Sequence, residues 1–124
     1  CQVPCGVYGD QNRFERMLED QTTIEKAGKL ISELSGKNDA LSHNQLARWV
    51  ATKESHATAI QNTIADYFMA QRIKASDKQY SEKLAKAHAV MVAAMKCKQT
   101  VDAQTAAALK ESILSFHKAY EGKK

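Results

Sequence analysis

The sequence predicts an all-α protein, an antiparallel up-down-up-down four-helix bundle preceded by an irregular N-terminal segment. Two observations carry this prediction. The 124 residues include only five glycines and one proline, whereas helix-favouring alanine, lysine, leucine, glutamine and glutamate are plentiful. Four segments also repeat apolar residues at helical spacing. Because only a few residues separate these segments, successive helices are expected to be antiparallel neighbours.

The first predicted helix follows the N-terminal segment and ends before Gly36, where a glycine stop and turn-forming neighbours interrupt the pattern. Its apolar residues recur at the spacing of one helix face, which predicts that this face is buried. The predicted buried stripe consists of Phe14, Met17, Leu18, Ile24, Leu30, Ile31 and Leu34.

The second predicted helix begins at a capping box, in which Ser42 and Gln45 stand three residues apart. The apolar spacing then continues for more than twenty residues, which predicts a long helix. Its predicted stripe consists of Leu46, Trp49, Val50, Ala57, Ile60, Ile64 and Phe68.

The third and fourth helices complete the predicted bundle. Ser76 and Asp77 offer a start for the third helix, and Thr100 or Asp102 can cap the fourth. The third stripe is predicted to be Tyr80, Leu84, Ala87, Met91, Ala94 and Met95, and the fourth Ala106, Leu109, Ile113, Phe116 and Tyr120.

The length suits one domain, with residues 1–10 as the irregular segment and residues 11–124 as the bundle. No apolar run approaches the roughly 18 residues that a membrane span needs, so no membrane association is expected. The net charge is only +4, basic and acidic residues alternate, and aromatic residues make up 6%. These features argue against nucleic-acid binding, which usually needs a basic face with aromatic side chains nearby.

The N-terminal segment holds two of the three cysteines and the only proline. Pro4 restricts the backbone and Gly6 permits a tight turn, so the spacing of Cys1 and Cys5 favours a closed loop. Thiolates are soft donors that suit copper, zinc, iron–sulfur clusters or nickel. The α-amine and the Gln2 amide nitrogen would complete a four-coordinate set of two nitrogens and two sulfurs.

A local disulfide between Cys1 and Cys5 is the alternative that the spacing leaves open. The three-cysteine iron–sulfur pattern and a four-ligand zinc set are both absent nearby, which argues against those metals. The third cysteine, Cys97, lies in an apolar stretch and is interpreted as a packed or partly exposed free thiol.

The whole string CQVPCGVY is more specific than its spacing, because it resembles the nickel-hook motif of the nickel superoxide dismutases. This resemblance implies a four-helix bundle that assembles as a hexamer. It also implies a nickel ion that alternates between Ni(II) and Ni(III) and converts superoxide to dioxygen and hydrogen peroxide. The resemblance continues through TTIEK (22–26), NQLARWV (44–50), ADYF (65–68) and MKCKQT (95–100).

Within the motif, the resemblance assigns the two thiolate ligands to Cys1 and Cys5. Pro4 and Gly6 match the positions that shape the hook. Tyr8 matches a tyrosine beside the open face of the metal, which limits access and orders water.

The resemblance also assigns roles outside the motif. Asp66 and Tyr67 match an Asp-Tyr pair of the family, and Tyr67 is a second candidate for the pocket; the alternatives are a helix-end cap and a packed ring. Glu15 and Arg48 match a carboxylate and an arginine that orient an axial imidazole. Their alternative interpretation is as surface charges. Met69 stands where the family has a basic residue, which puts local attraction of superoxide in doubt.

The family's chain has a histidine directly before the first cysteine, which supplies an amine and the axial imidazole. No residue precedes Cys1 here, so we expect either that this histidine is lost from the sequence or that a variant starting at Cys1 turns over weakly. The alternatives to a dismutase are a bundle that sequesters nickel or copper with little turnover, and a structural bundle with a Cys1–Cys5 disulfide.

A cytoplasmic location is expected, because free thiols fit a reducing compartment. The four histidines of this sequence are interpreted as surface or capped residues rather than as metal ligands: His43, His56, His88 and His117.

Overall fold

The computed structural model describes residues 9–122 and confirms the all-α four-helix bundle. A π-helical segment continues the second helix without a break, and we call Thr63–Arg72 the π-segment. No strand occurs within residues 9–122. The four α-helices are α1 (Asp10–Leu34), α2 (Ala40–Asn62), α3 (Tyr80–Gln99) and α4 (Ala103–Tyr120).

The helices are antiparallel to their neighbours, as predicted. Between α1 and α2, Asp20 pairs with His56, whereas Lys26 lies over the ring of Trp49 further along α1. As α1 advances from Asp20 to Lys26, the contacting residue on α2 moves back from His56 to Trp49, so these two helices are antiparallel. Each helix packs against the helix that follows it, and α1 against α4 closes the bundle.

Much of the core comes from the predicted stripes, but Ile73, Val90 and Cys97 are also buried there, and two stripe residues are exposed. Val50 is 47% exposed and Met95 is 41% exposed, so their predicted burial was wrong. Each is adjacent to a residue that faces inward, Trp49 and Ala94, and neighbouring positions on an α-helix point about 100° apart. The fully buried large side chains include Phe14, Met17, Ile24, Ile60, Ile64, Phe68, Leu109, Ile113 and Phe116.

The start of α2 differs from the prediction. Asp39 is the N-cap, and its carboxylate accepts hydrogen bonds from the Ser42 backbone N–H at 3.1 Å and the Ser42 hydroxyl at 2.6 Å. The predicted capping box was one turn too late, because Asp39 is an equally good cap and lies three residues earlier.

The starts of α3 and α4 are also set by aspartates. Asp77 accepts from the Gln79 backbone N–H at 2.8 Å and forms a turn, so α3 begins at Tyr80 rather than at Asp77. Asp102 caps α4, as predicted, by accepting from the Gln104 N–H at 2.9 Å. Among the helices of residues 9–122, none has the length and apolar character needed to cross a membrane.

Candidate metal centre

The predicted hook joins the bundle at the start of α1. The described chain begins at Gly9, whose extended backbone leads into α1 at Asp10. The structure describes the surroundings of this helix start. The predicted hook residues lie outside the described residues, and they are Cys1, Gln2, Pro4, Cys5, Gly6 and Tyr8.

The bundle itself offers no competing metal site in residues 9–122, where no group of three or more His, Cys, Asp or Glu side chains is placed to hold a metal ion. Cys97 is buried in α3, and its Sγ donates to the Thr105 carbonyl oxygen at 3.4 Å. Burial raises the pKa of the Cys97 thiol above its ordinary value, which disfavours the thiolate that a metal needs. The remaining thiols belong to Cys1 and Cys5, and two thiolates with nitrogen donors fit Ni(II).

Asp10, the first residue of α1, is the acceptor for three side chains of other elements. The Tyr120 hydroxyl donates to Oδ2 at 2.8 Å, and the Tyr67 hydroxyl donates to Oδ1. Arg72 Nε lies 3.2 Å from the same Oδ1 and donates to the Tyr67 hydroxyl oxygen at 3.3 Å. We call Asp10, Tyr67, Arg72 and Tyr120 the Asp10 cluster. It joins the start of α1 to the π-segment and to the end of α4.

The π-segment brings Tyr67 and Arg72 together. The two residues are five positions apart, which in an α-helix would leave their side chains about 140° apart. In a π-helix the N–H of residue i+5 bonds to the C=O of residue i, so residue i+5 stands one turn above residue i. The Ile73 N–H bonds to the Phe68 carbonyl in this way at 2.8 Å. As a result, Arg72 Cζ lies 5.3 Å from the centre of the Tyr67 ring.

The two tyrosines of the Asp10 cluster are held in the neutral form. Burial raises the pKa of Tyr67, and its hydrogen bond to Asp10 raises it further. The pKa of Tyr120 is raised by the same two causes. The hydrogen bond to Tyr67 raises the pKa of Arg72, which stays charged. Both phenol protons are thus directed at Asp10 and held there at neutral pH.

Tyr67 is the predicted site residue that the structure places at the start of α1, where its side chain is only 6% exposed. Asp66 precedes it and is exposed. Glu15 is also exposed and lies about 7.5 Å further along α1 and about 140° around the helix from Asp10. Within residues 9–122, no hydrogen bond or ion pair joins Glu15 to Arg48.

Arg48 lies in the opposite half of the bundle. Its neighbour Trp49 packs against Lys26, which follows Asp10 by 16 residues. This separation corresponds to roughly 24 Å along α1. The structure therefore keeps Arg48 away from the helix start of its own chain, where Arg72 contacts Asp10.

A second polar group is buried between α1 and α2. Asp20 is 1% exposed, and its Oδ1 lies 2.8 Å from His56 Nδ1 and 3.4 Å from Arg16 Nε. Oδ2 of Asp20 has no hydrogen-bond partner within the described chain. His56 is thus engaged with a carboxylate of the core. This pair is ten residues from Asp10 on α1 and does not contribute to the Asp10 cluster.

Sequence reasoning did not single out Asp10 or Arg72, and it placed Tyr120 only in the core stripe. An acidic residue at the start of a helix was a usable signal for Asp10, because the helix dipole favours a carboxylate there. No spacing rule for α-helices could have found Arg72, since its contact with Tyr67 depends on the π-helical register.

The comparison with protein families gives one match. A sequence model of nickel-containing superoxide dismutase matches residues 1–124, the whole chain. No curated protein and no solved structure matches the chain.

Proposed function

Because the chain belongs to the nickel-containing superoxide dismutase family, we propose that it converts superoxide to dioxygen and hydrogen peroxide at a nickel ion bound by Cys1 and Cys5. The family match over the whole chain carries this proposal, since it includes both cysteines as well as the bundle. In the overall reaction, two superoxide anions and two protons give one dioxygen and one hydrogen peroxide. Nickel supplies the one-electron chemistry when bound, by alternating between Ni(II) and Ni(III).

We assign the metal ligands to the N-terminal motif. The thiolates of Cys1 and Cys5 supply two sulfur donors, and the Gln2 amide nitrogen is a proposed nitrogen donor. The bundle supports this assignment, because Cys97 is a buried thiol with a raised pKa and no group of three or more His, Cys, Asp or Glu side chains in residues 9–122 is placed to hold a metal ion. A Cys1–Cys5 disulfide would remove both sulfur donors, so the proposal requires the two thiols to be reduced.

Tyr67 and Tyr120 have a structural role at the start of α1 and do not donate the protons that the reaction consumes. The hydroxyl protons of Tyr67 and Tyr120 point to Asp10, and raised pKa values keep them there. We therefore assign the protons that the reaction consumes to water. Tyr67 acts as a fixed wall of the proposed pocket, and Tyr8 is the proposed residue that limits access to the metal.

Attraction of the superoxide anion is assigned to the overall charge. Arg72 contacts Asp10 at the start of α1, and its side chain is 39% exposed. Asp10 carries the opposite charge 3.2 Å away, so the pair adds little net field. The formal charge of +4 on the whole chain supplies a weak attraction for a small anion.

We also propose that the chain forms a homohexamer, as the resemblance implies. A complex of six chains of 13.7 kDa each is expected by native mass spectrometry. Large apolar residues that are exposed within residues 9–122 are candidates for the interface: Leu41, Val50, Met69, Met95, Val101 and Leu114.

Three matched cysteine variants test the proposed site. Cys1→Ala and Cys5→Ala should each abolish nickel binding and superoxide turnover, while circular dichroism shows the helices unchanged. Cys97→Ala makes the same change in the bundle and should keep both nickel and turnover. Nickel is measured by elemental analysis and turnover by stopped-flow decay of superoxide. Full nickel occupancy in Cys1→Ala or Cys5→Ala would overturn the site, and bound nickel without turnover in the unchanged chain would indicate a sequestering bundle.

A further inference from the structure

The start of α1 has no side-chain cap among the residues that the structure describes. Its N-cap is Gly9, and within residues 9–122 no side-chain cap hydrogen bond forms there. A helix end without a cap leaves backbone N–H groups unsatisfied and is prone to fray. The carboxylate of Asp10 is used by Tyr67, Arg72 and Tyr120 instead. Side chains from two other elements therefore fix the first turn of α1.

The contacts of the Asp10 cluster clamp the start of α1, and this clamp lies close to the proposed metal ligands along the chain. Asp10 follows Cys5 by five residues. The first turn of α1 is thus the anchor from which the metal-binding segment begins. Ordering a segment upon binding costs conformational entropy, and a fixed anchor lowers that cost. The lower cost appears as tighter metal binding.

We infer that Asp10 is a positioning residue for the metal-binding segment: it clamps the start of α1 to Tyr67, Arg72 and Tyr120 and so tightens nickel binding by Cys1 and Cys5. The inference rests on the proposed nickel site. Asp10 acts through the backbone and needs no contact with nickel. Loss of the clamp therefore changes nickel affinity even where every nickel ligand is present.

The test is the nickel affinity of Asp10→Asn in the full chain, measured under reducing conditions by competition with a chromophoric chelator. Asparagine keeps the size of aspartate but has a single acceptor oxygen and no charge, so it cannot hold all three donors. We expect the dissociation constant for nickel to rise about tenfold. Asp39→Asn is the matched control, because it makes the same change at the start of α2, where asparagine is also a good cap. Its dissociation constant should stay within about twofold of the unchanged chain.

Tyr120→Phe provides an independent variant, because it removes one donor of the clamp 110 residues away in sequence and leaves α1 unaltered. We expect a rise of about threefold in the nickel dissociation constant. Amide hydrogen exchange at the start of α1 should also be faster in both clamp variants. Unchanged nickel affinity in Asp10→Asn and Tyr120→Phe would overturn the inference while leaving the proposed function intact. An unchanged chain that binds no nickel would overturn both.

Discussion

The hydroxyl of Tyr120 donates to Oδ2 of Asp10 at 2.8 Å and joins the last residue of α4 to the first residue of α1. The ring of Tyr120 packs beneath this bond, with its centroid 5.2 Å from Phe68 and 5.7 Å from Phe14. Tyr120 therefore contributes both a hydrogen bond and aromatic packing at the end of the bundle where α1 starts.

Removal of this hydroxyl should weaken the bundle. In Tyr120→Phe the ring stays and one hydrogen bond to a carboxylate is lost, so we expect the free energy of unfolding to fall by about 1 kcal/mol. The measurement is urea unfolding of the metal-free chain. Tyr80→Phe is the control, because the Tyr80 hydroxyl forms no hydrogen bond within residues 9–122 and its loss should change stability little. Equal effects of the two variants would contradict the role given to the Tyr120 hydroxyl.

The stacking of Arg72 on Tyr67 should require a guanidinium. Arg72→Lys keeps the charge but loses the planar group and the Nε donor, so we expect a loss of about 0.5–1 kcal/mol in unfolding free energy. Arg48→Lys is the matched control on an exposed part of α2 and should have no measurable effect. Both are read from the urea midpoint of the metal-free chain. An Arg72→Lys chain as stable as the control would show that the charge alone is sufficient.

Asp39 should make stability depend on acid pH. The side-chain and backbone hydrogen bonds from Ser42 hold the pKa of Asp39 below its ordinary value. The stabilisation is therefore fully present above the unfolded pKa of about 3.9 and is lost as the pH falls through the lower folded value. Asp39→Asn should flatten the loss of stability below about pH 4, measured by urea unfolding at a series of pH values. A profile as steep as that of the unchanged chain would show that Ser42 does not lower this pKa.

Cys97 should be unreactive while the chain is folded. Its thiol is buried, and burial raises its pKa, so little thiolate is available for alkylation. Iodoacetamide at pH 8 followed by peptide mass spectrometry should leave Cys97 unmodified without urea and modify it in urea. Rapid labelling of Cys97 in the folded chain would contradict its placement in the core.

The residue directly before Cys1 should affect turnover. The resemblance to the family implies an imidazole ligand from a histidine at that position. A chain with histidine there and a chain with glycine there should bind similar amounts of nickel, and the histidine chain should have the faster superoxide decay per bound nickel. Equal rates for the two chains would contradict a role for the imidazole.

The helices were predictable because apolar spacing reports directly on burial. Phe14, Ile60 and Phe116 were placed in the core by spacing and are buried. The end of the second helix was not predictable in the same way. Thr63–Arg72 is π-helical. The α-helical spacing of 3.6 residues per turn therefore does not predict which side chains lie next to each other in this segment.

Polar side chains in the core were also missed. Asp20 and Lys53 are buried, and each is held by partners distant in sequence: His56 for Asp20, and the carbonyls of Cys97 and Lys98 for Lys53. Rules that count apolar residues assign such positions to the surface. For the candidate centre, resemblance singled out Tyr67 as a candidate pocket residue, whereas its contact with Asp10 became evident only from the structure.

The most direct test of a nickel ion on Cys1 and Cys5 is X-ray absorption at the nickel K-edge of the loaded, reduced chain. The account predicts two sulfur neighbours for each nickel, together with lighter nitrogen neighbours, and loss of the sulfur neighbours when both cysteines are replaced by alanine. A nickel ion surrounded only by nitrogen and oxygen in the unchanged chain would contradict it.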